Sequence, residues 1–254
     1  MSILHTLNPD EVLAEEFIPE YSAGMQFFHL QLVHLNANVF ILDHVLAFPF
    51  RLLVPSGRSL FFRFVFENSF YASLLIITRL ATDQGSEFFT LPRFKNKVRQ
   101  AIKDEYRGEF DDLLRKAKFN KNMQHMLQKA ASLRSMRVAH STEDFVLGNA
   151  EEPLVRFGEL KTMRDQLVEL FRAFTFNVDH VMEPLQYSAR VQAGRGRSQK
   201  SDIEELLDLI AGNSPGLHLP EREPERWKDQ RSVYVDRELQ VYNQYRQTFG
   251  LPEA

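Results

Sequence analysis

Residues 58–83 read RSLFFRFVFENSFYASLLIITRLATD, and this stretch decides the fold class. Apolar side chains fall on nearly every side of a helix formed by it, and strand-like alternation bounded by turn residues is hard to find elsewhere in the chain. A helix that is apolar all round is typical of the centre of a bundle. The stretch therefore predicts an all-α protein with a large buried core.

Helical spacing extends on both sides of this stretch. Further helices are predicted over residues 23–47, 90–103, 109–117, 121–138 and 154–190, after a short first helix that Pro19 ends. Together they form a predicted helical bundle over residues 1–190. Residues 191–200 read VQAGRGRSQK, the composition of a flexible linker. Helices over residues 202–210 and 231–249 follow, so residues 191–254 are predicted to be a linker and a C-terminal helical extension.

Composition excludes several kinds of site. The chain lacks Cys, which excludes disulfides, thiolate metal sites and a Cys nucleophile, and favours the cytoplasm. Helical metal-ligand spacings such as His-x-x-x-His are also missing, so neither a metal nor a cofactor is expected. Residues 21–42 carry no charged side chain, but Gln, His and Asn interrupt them. We therefore expect a buried bundle helix there and no membrane span.

Residues 113–142 form a basic window without Asp or Glu, where about four would be expected at the chain-wide frequency. Because the formal net charge of the chain is −3, attraction of a polyanion would have to be local. Basic patches neutralise phosphates and release their counterions. A solvated face, or a helix whose acidic partners come from elsewhere in the fold, is the alternative explanation. The predicted nucleic-acid contacts are Arg115, Lys116, Lys118, Lys121 and Lys129.

Within this window, residues 133–141 read LRSMRVAHS. This resembles the signature of the HEPN superfamily, an Arg followed four to six residues later by a His. It is most similar to the abortive-infection (AbiU-like) branch, where the pattern tends to read Leu-Arg-x-x-x-x-Ala-His-Ser. Residues 66–83 end in TRLATD and resemble the family's long apolar helix with its terminal Arg-Leu-x-x-Asp, and Thr90-Leu91 resembles the start of the next helix. The resemblance covers residues 58–180.

The resemblance implies a HEPN-like helical bundle and a metal-independent endoribonuclease of a defence or toxin type. His140 would serve as general base or acid in attack by a ribose 2′-OH, because an imidazole exchanges protons near neutral pH. Arg134 would bind the phosphate, for which a planar guanidinium is suited. RNA is the expected partner, a homodimer the expected assembly, and an antitoxin or regulatory protein a further expected partner.

Geometry and one departure from the family pattern leave an alternative open. On an ideal α-helix Arg134 and His140 lie about 240° apart, so either the helix ends before His140 or two subunits build the site. Arg137, Ser135 and Ser141 are secondary candidates. Ser135 stands where many catalytic members carry Asn, Asp or His. The alternative is a non-catalytic HEPN-like binding or regulatory protein that uses the same basic groove for RNA, a nucleotide or a partner protein.

Overall fold

The computed structural model describes residues 2–50, 60–82, 89–139, 152–177, 201–212 and 228–251. Within these ranges the regular secondary structure is helical, apart from an isolated β-bridge between Leu13 and Ile102. This confirms the predicted all-α bundle. The α-helices in chain order are α1 (Pro9–Val12), α2 (Ile18–Ala47), α3 (Leu60–Ala81), α4 (Leu91–Ala101), α5 (Arg107–Lys116), α6 (Lys121–Arg134), α7 (Phe157–Ala173), α8 (Asp202–Gly212) and α9 (Lys228–Thr248).

Two predicted helix ends are wrong. Pro19 is the second residue of α2 and does not end a helix, because a proline is tolerated in the first turn, where its missing N–H has no partner to lose. The helix predicted to run to residue 190 ends at Ala173, and Asn177 follows in the left-handed region with φ 53°. The predicted linker, residues 191–200, lies outside the described residues.

The chain forms two compact units, of which the first comprises residues 1–39 and 70–187. Its core includes Phe28 of α2, Ile77 of α3 and Phe94 of α4, all fully buried. The Tyr21 hydroxyl donates a hydrogen bond to the Phe174 carbonyl and accepts one from the backbone N–H two residues later, each at 3.1 Å. Burial raises the pKa of Tyr21, so the phenol stays protonated. These bonds join the end of α7 to the start of α2.

The second unit comprises residues 40–69 and 188–254. Its core combines Phe48 and Phe62 with Leu207 of α8 and with Tyr242 and Tyr245 of α9. The helices predicted over residues 202–210 and 231–249 correspond to α8 and α9. They therefore share a hydrophobic core with residues 40–69.

A polar network inside the second unit joins α8 to α9. The Arg246 guanidinium donates to Asp208 at 2.8 Å and to the Tyr242 hydroxyl at 3.2 Å. The Tyr242 hydroxyl in turn donates to Asp208. Burial and the neighbouring carboxylate raise the pKa of Tyr242 to about 12. Each buried polar group in this cluster therefore has a hydrogen-bond partner, as the low dielectric of an interior requires.

In the described part of the chain, two helical stretches, Glu15–Ala47 and Leu60–Ala81, have the length and apolar composition that a membrane span needs. The same stretches supply Phe28, Leu32, Leu74 and Ile77 to the core of the first unit. Leu60, Phe61 and Phe64 at the start of α3 are exposed, so this part of the helix is not buried on every side as the centre of a bundle would be.

Gly24 on α2 lies directly against a buried ring. A Cβ at this position would lie 2.4 Å from Cε2 and 2.6 Å from Cζ of Phe94, which is fully buried. We expect Gly24→Ala to lower the free energy of unfolding by about 1–3 kcal/mol, because a close-packed ring cannot move aside. Urea denaturation followed by circular dichroism measures the change.

Gly158→Ala in α7 is the matched control, because a Cβ there meets nothing within 4 Å. Alanine favours a helix over glycine by up to about 1 kcal/mol, so this variant should be as stable as wild type or slightly more stable. Equal destabilisation by both substitutions would contradict the packing described for Gly24.

Candidate functional site

Arg134 is the last residue of α6, and its side chain is partly buried. The preceding residue, Leu133, is buried in the core of the first unit and fixes this end of the helix. The Nε atom of Arg134 is itself buried. A guanidinium in partly desolvated surroundings attracts an anion more strongly than a fully hydrated one, because the local dielectric is lower. This setting suits Arg134 to holding a phosphate.

The backbone changes geometry directly after Arg134. Residues Ser135–Ala139 form a π-helical segment, in which hydrogen bonds close five residues along instead of four. The α-helical angle of about 240° between positions 134 and 140 therefore does not apply here. Short π-helical segments inside α-helices occur frequently at functional sites. His140 and Ser141 follow this segment and lie outside the described residues.

Ser135 and Arg137 lie within the π-helical segment, and both are exposed. The Arg137 guanidinium forms a bidentate ion pair with the Glu152 carboxylate, in which Nε donates to Oε1 at 2.8 Å and Nη2 donates to Oε2 at 2.5 Å. Bidentate pairs of this kind are among the stronger charge-assisted contacts. A phosphate at Arg137 would therefore have to compete with Glu152, an acidic partner from outside the basic window, as the alternative explanation of that window expected.

Two of the five predicted nucleic-acid contacts are paired with carboxylates outside the basic window. Lys129 donates to Glu159 at 2.6 Å, and Arg115 pairs with Asp112 at 2.9 Å. Burial opposes ionisation of Glu159, but the backbone N–H of Arg156 and the Lys129 ammonium outweigh it and hold the pKa of this carboxyl below its ordinary value. Lys129 therefore joins α6 to α7. The side chains of Lys116, Lys118 and Lys121 are exposed.

The first unit also contains a basic cleft, formed by α4, the end of α5 and the connection to α6. Its volume is about 590 Å³. We call it the α4–α5 cleft. Four cationic side chains and one carboxylate line it: Lys95, Arg99, Arg115, Lys118 and Asp111.

Sequence reasoning missed Lys95 and Arg99 because both precede the basic window. Their spacing of four residues places them on one face of α4, and this was the signal that could have revealed them. Burial, and then the charges of Arg99 and Lys118, lower the pKa of Lys95. Lys95 is therefore partly desolvated and lies close to two other cations.

No group of three or more His, Asp or Glu side chains in the described ranges has an arrangement that could hold a metal ion. The described atoms thus offer cationic and hydrogen-bonding groups around Arg134 and in the α4–α5 cleft. These groups can bind phosphate and stabilise negative charge.

Comparison with known proteins identifies a family. The HEPN AbiU2 family model matches residues 28–193, a range that includes Arg134, His140 and the whole α4–α5 cleft. Neither a curated protein nor a solved structure matches the chain. The matched range agrees with the resemblance seen in residues 133–141 and extends it over most of the first unit.

Proposed function

The chain belongs to the HEPN AbiU2 family of abortive-infection proteins, and from this membership we propose that it is a metal-independent endoribonuclease of a defence or toxin type. Arg134 and His140 carry the reaction in this proposal. Both residues lie in the matched range, at the spacing that the sequence LRSMRVAHS shares with the family signature.

The chemistry assigns a separate task to each side chain. His140 takes the proton from a ribose 2′-OH, and the oxygen attacks the neighbouring phosphorus. The new O2′–P bond forms as the P–O5′ bond breaks, and the departing O5′ takes up a proton from an imidazolium or from water. Arg134 stabilises the negative charge that develops on the phosphate oxygens. The products are a 2′,3′-cyclic phosphate and a 5′-hydroxyl.

The observation that carries this proposal is the setting of Arg134. Its side chain is partly buried at the last residue of α6, and a π-helical segment follows it up to Ala139, the residue before His140 in the sequence. An exposed arginine on a regular helix would lack both features. A homodimer fits the proposal, because two chains would bring two Arg134 and two His140 side chains to one RNA-binding groove. The cytoplasm, where RNA is abundant, is the compartment we propose.

The second candidate function is a non-catalytic HEPN-like protein that binds RNA, a nucleotide or a partner protein such as an antitoxin. Ser135 favours it, because a hydroxyl offers fewer hydrogen bonds than the amide, carboxylate or imidazole of many catalytic members. The ion pair between Arg137 and Glu152 also favours it, because it neutralises one cation beside the motif.

The ends of the RNA fragments separate the two functions. We expect the purified protein to cleave total RNA in the presence of EDTA and to leave 2′,3′-cyclic phosphate and 5′-hydroxyl ends. Ligation with an enzyme that accepts only those ends, compared with one that requires 5′-phosphate ends, identifies them. Cleavage that needs added magnesium, or that leaves 5′-phosphate ends, would contradict the mechanism. RNA binding without cleavage would favour the second candidate.

A further inference from the structure

We propose that the α4–α5 cleft binds one nucleotide unit through its phosphate, with Lys95 and Lys118 as the principal phosphate contacts. The site belongs to the first unit and differs from the Arg134 motif in residues and in role, because it binds and does not cleave. It rests on the proposed function only in that the nucleotide unit would belong to RNA.

Charge is the first support for this proposal. The whole chain is negatively charged, yet the side chains that line the cleft include four cations and only one carboxylate. Burial and the charges of Arg99 and Lys118 together lower the pKa of Lys95. A phosphate in the cleft would relieve that repulsion and gain charge-assisted hydrogen bonds. A crowded group of cations in a concave site is thus preorganised for an anion.

The pairing of these cations distinguishes their roles. The Arg99 guanidinium holds Asp111 with Nε to Oδ1 at 2.6 Å and Nη2 to Oδ2 at 2.8 Å, and it keeps the pKa of that carboxyl below its ordinary value. Arg115 pairs with Asp112. Among the described residues, Lys95 and Lys118 form no ion pair with a carboxylate. These two ammonium groups are therefore the ones most available to a phosphate.

Shape is the second support. The cleft of about 590 Å³ falls within the range of about 300–1,000 Å³ that is usual for small-molecule sites, which suits one nucleotide unit better than a folded duplex. Apolar side chains line part of it, namely Pro92, Leu114, Ala117, Phe119 and Leu170. Asn96 and Gln124 add amide groups. Apolar and amide groups beside a cationic cluster match the base, sugar and phosphate of a nucleotide.

Binding of a non-cleavable RNA analogue tests the site apart from catalysis. The probe is a fluorescein-labelled 2′-O-methyl oligouridylate, which has no 2′-OH to attack phosphorus, and its anisotropy reports binding to the full-length protein. We expect Lys95→Gln/Lys118→Gln to weaken binding by about 10-fold at moderate salt and to reduce the salt slope by about 2.

The matched control is Lys97→Gln/Lys103→Gln. It removes the same charge from exposed positions outside the basic window that do not line the cleft. We expect it to weaken binding by less than about 3-fold, because it changes only the long-range electrostatic attraction between the protein and the RNA. Equal losses in the two double variants would overturn the proposal, because the cleft would then contribute no more than any basic surface.

Two further arms complete the test. The thermal midpoint of Lys95→Gln/Lys118→Gln should be at or above that of the wild type, because the substitutions remove two crowded charges. A loss of binding in this variant would then not be a loss of folding. Displacement of the probe by uridine monophosphate would identify a site for free nucleotides. Displacement only by unlabelled oligouridylate would identify the RNA backbone, and displacement by neither would overturn the proposal. If Lys95→Gln/Lys118→Gln binds the probe as the wild type does while the wild type still cleaves RNA, the proposal for the cleft fails and the proposed function stands.

Discussion

His140→Ala is expected to lower the rate of RNA cleavage by about 100-fold to 10,000-fold, the usual contribution of general acid–base catalysis. Without the imidazole, the 2′-OH keeps its proton and attacks phosphorus poorly. Binding of the 2′-O-methyl probe should change by less than about 3-fold, because the side chains proposed to bind the RNA phosphates are Arg134, Lys95 and Lys118. Single-turnover cleavage of a labelled oligoribonucleotide in EDTA measures the rate.

His125→Ala is the matched control for this prediction. His125 lies on α6 in the same basic window, and its side chain is exposed. Its variant should cleave RNA within about 2-fold of the wild-type rate, because a solvated imidazole away from the motif takes no part in the reaction. A comparable loss of activity in both variants, or none in either, would show that His140 does not perform proton transfer.

The second large effect is expected for a buried hydrogen-bonded pair in the second unit. His44 on α2 and Glu204 on α8 are almost fully buried, and their Nε2 and Oε1 atoms lie 3.2 Å apart. His44 Nδ1 donates to the Phe40 carbonyl at 3.0 Å, because a carbonyl oxygen can only accept. Glu204 Oε2 accepts from the backbone N–H and hydroxyl of Ser201 at 2.7 and 2.9 Å. The pair therefore joins α2 to the start of α8.

Glu204→Ala is expected to lower the free energy of unfolding of the second unit by about 3–5 kcal/mol, because it leaves the His44 imidazole and the N–H and hydroxyl of Ser201 buried without their partner. The His44 ring also stacks on Phe249, with their ring centroids 3.9 Å apart. A change in the orientation of His44 would therefore disturb the packing at the end of α9. Urea denaturation of the full chain, followed by circular dichroism, should show a second-unit transition at lower denaturant.

Glu67→Ala provides the control in the same unit. Glu67 pairs with Arg63 at 2.9 Å on the surface of α3, and both side chains are largely exposed. Exposed pairs four residues apart in a helix contribute only about 0.3–0.5 kcal/mol. If the two glutamate variants lost similar stability, the pair formed by His44 and Glu204 would have no special structural role.

The sequence predicted the elements that depend on local patterns. The apolar stretch at residues 58–83 predicted a helix, and α3 occupies it, although Leu60, Phe61 and Phe64 are exposed where the stretch predicted burial. Thr90 and Pro92 predicted a helix start, and α4 begins at Leu91. These features could be predicted because propensity, capping and burial all act within a few residues of one another. The family resemblance was confirmed for the same reason, since its motif is contiguous in the chain.

Features that depend on distant contacts could not be predicted. Neighbours of His44 in the sequence give no hint of Glu204, which lies 160 residues away. The end of α7 at Ala173 depends on Tyr21, whose hydroxyl binds the backbone at Phe174 and Phe176. Local helical spacing suggested that the helix would continue, but a tertiary hydrogen bond to another helix stabilises the turn.

The basic window shows the same limit at the candidate site. Its composition predicted a cationic face, yet Arg137 pairs with Glu152 and Lys129 pairs with Glu159. The cations that line the cleft include Lys95 and Arg99, which no count over residues 113–142 could include. A one-dimensional window cannot assign partners, because oppositely charged side chains meet across helices.

A double-mutant comparison of Arg134→Ala, His140→Ala and the combined variant tests the central claim most directly. The measurement is single-turnover cleavage of one oligoribonucleotide in EDTA. If the guanidinium and the imidazole act on the same phosphodiester, each single variant loses most of the activity, and the combined variant is slower than the slower single variant by less than about 3-fold. Two independent losses that multiply in the combined variant, or wild-type cleavage in either single variant, would contradict the account.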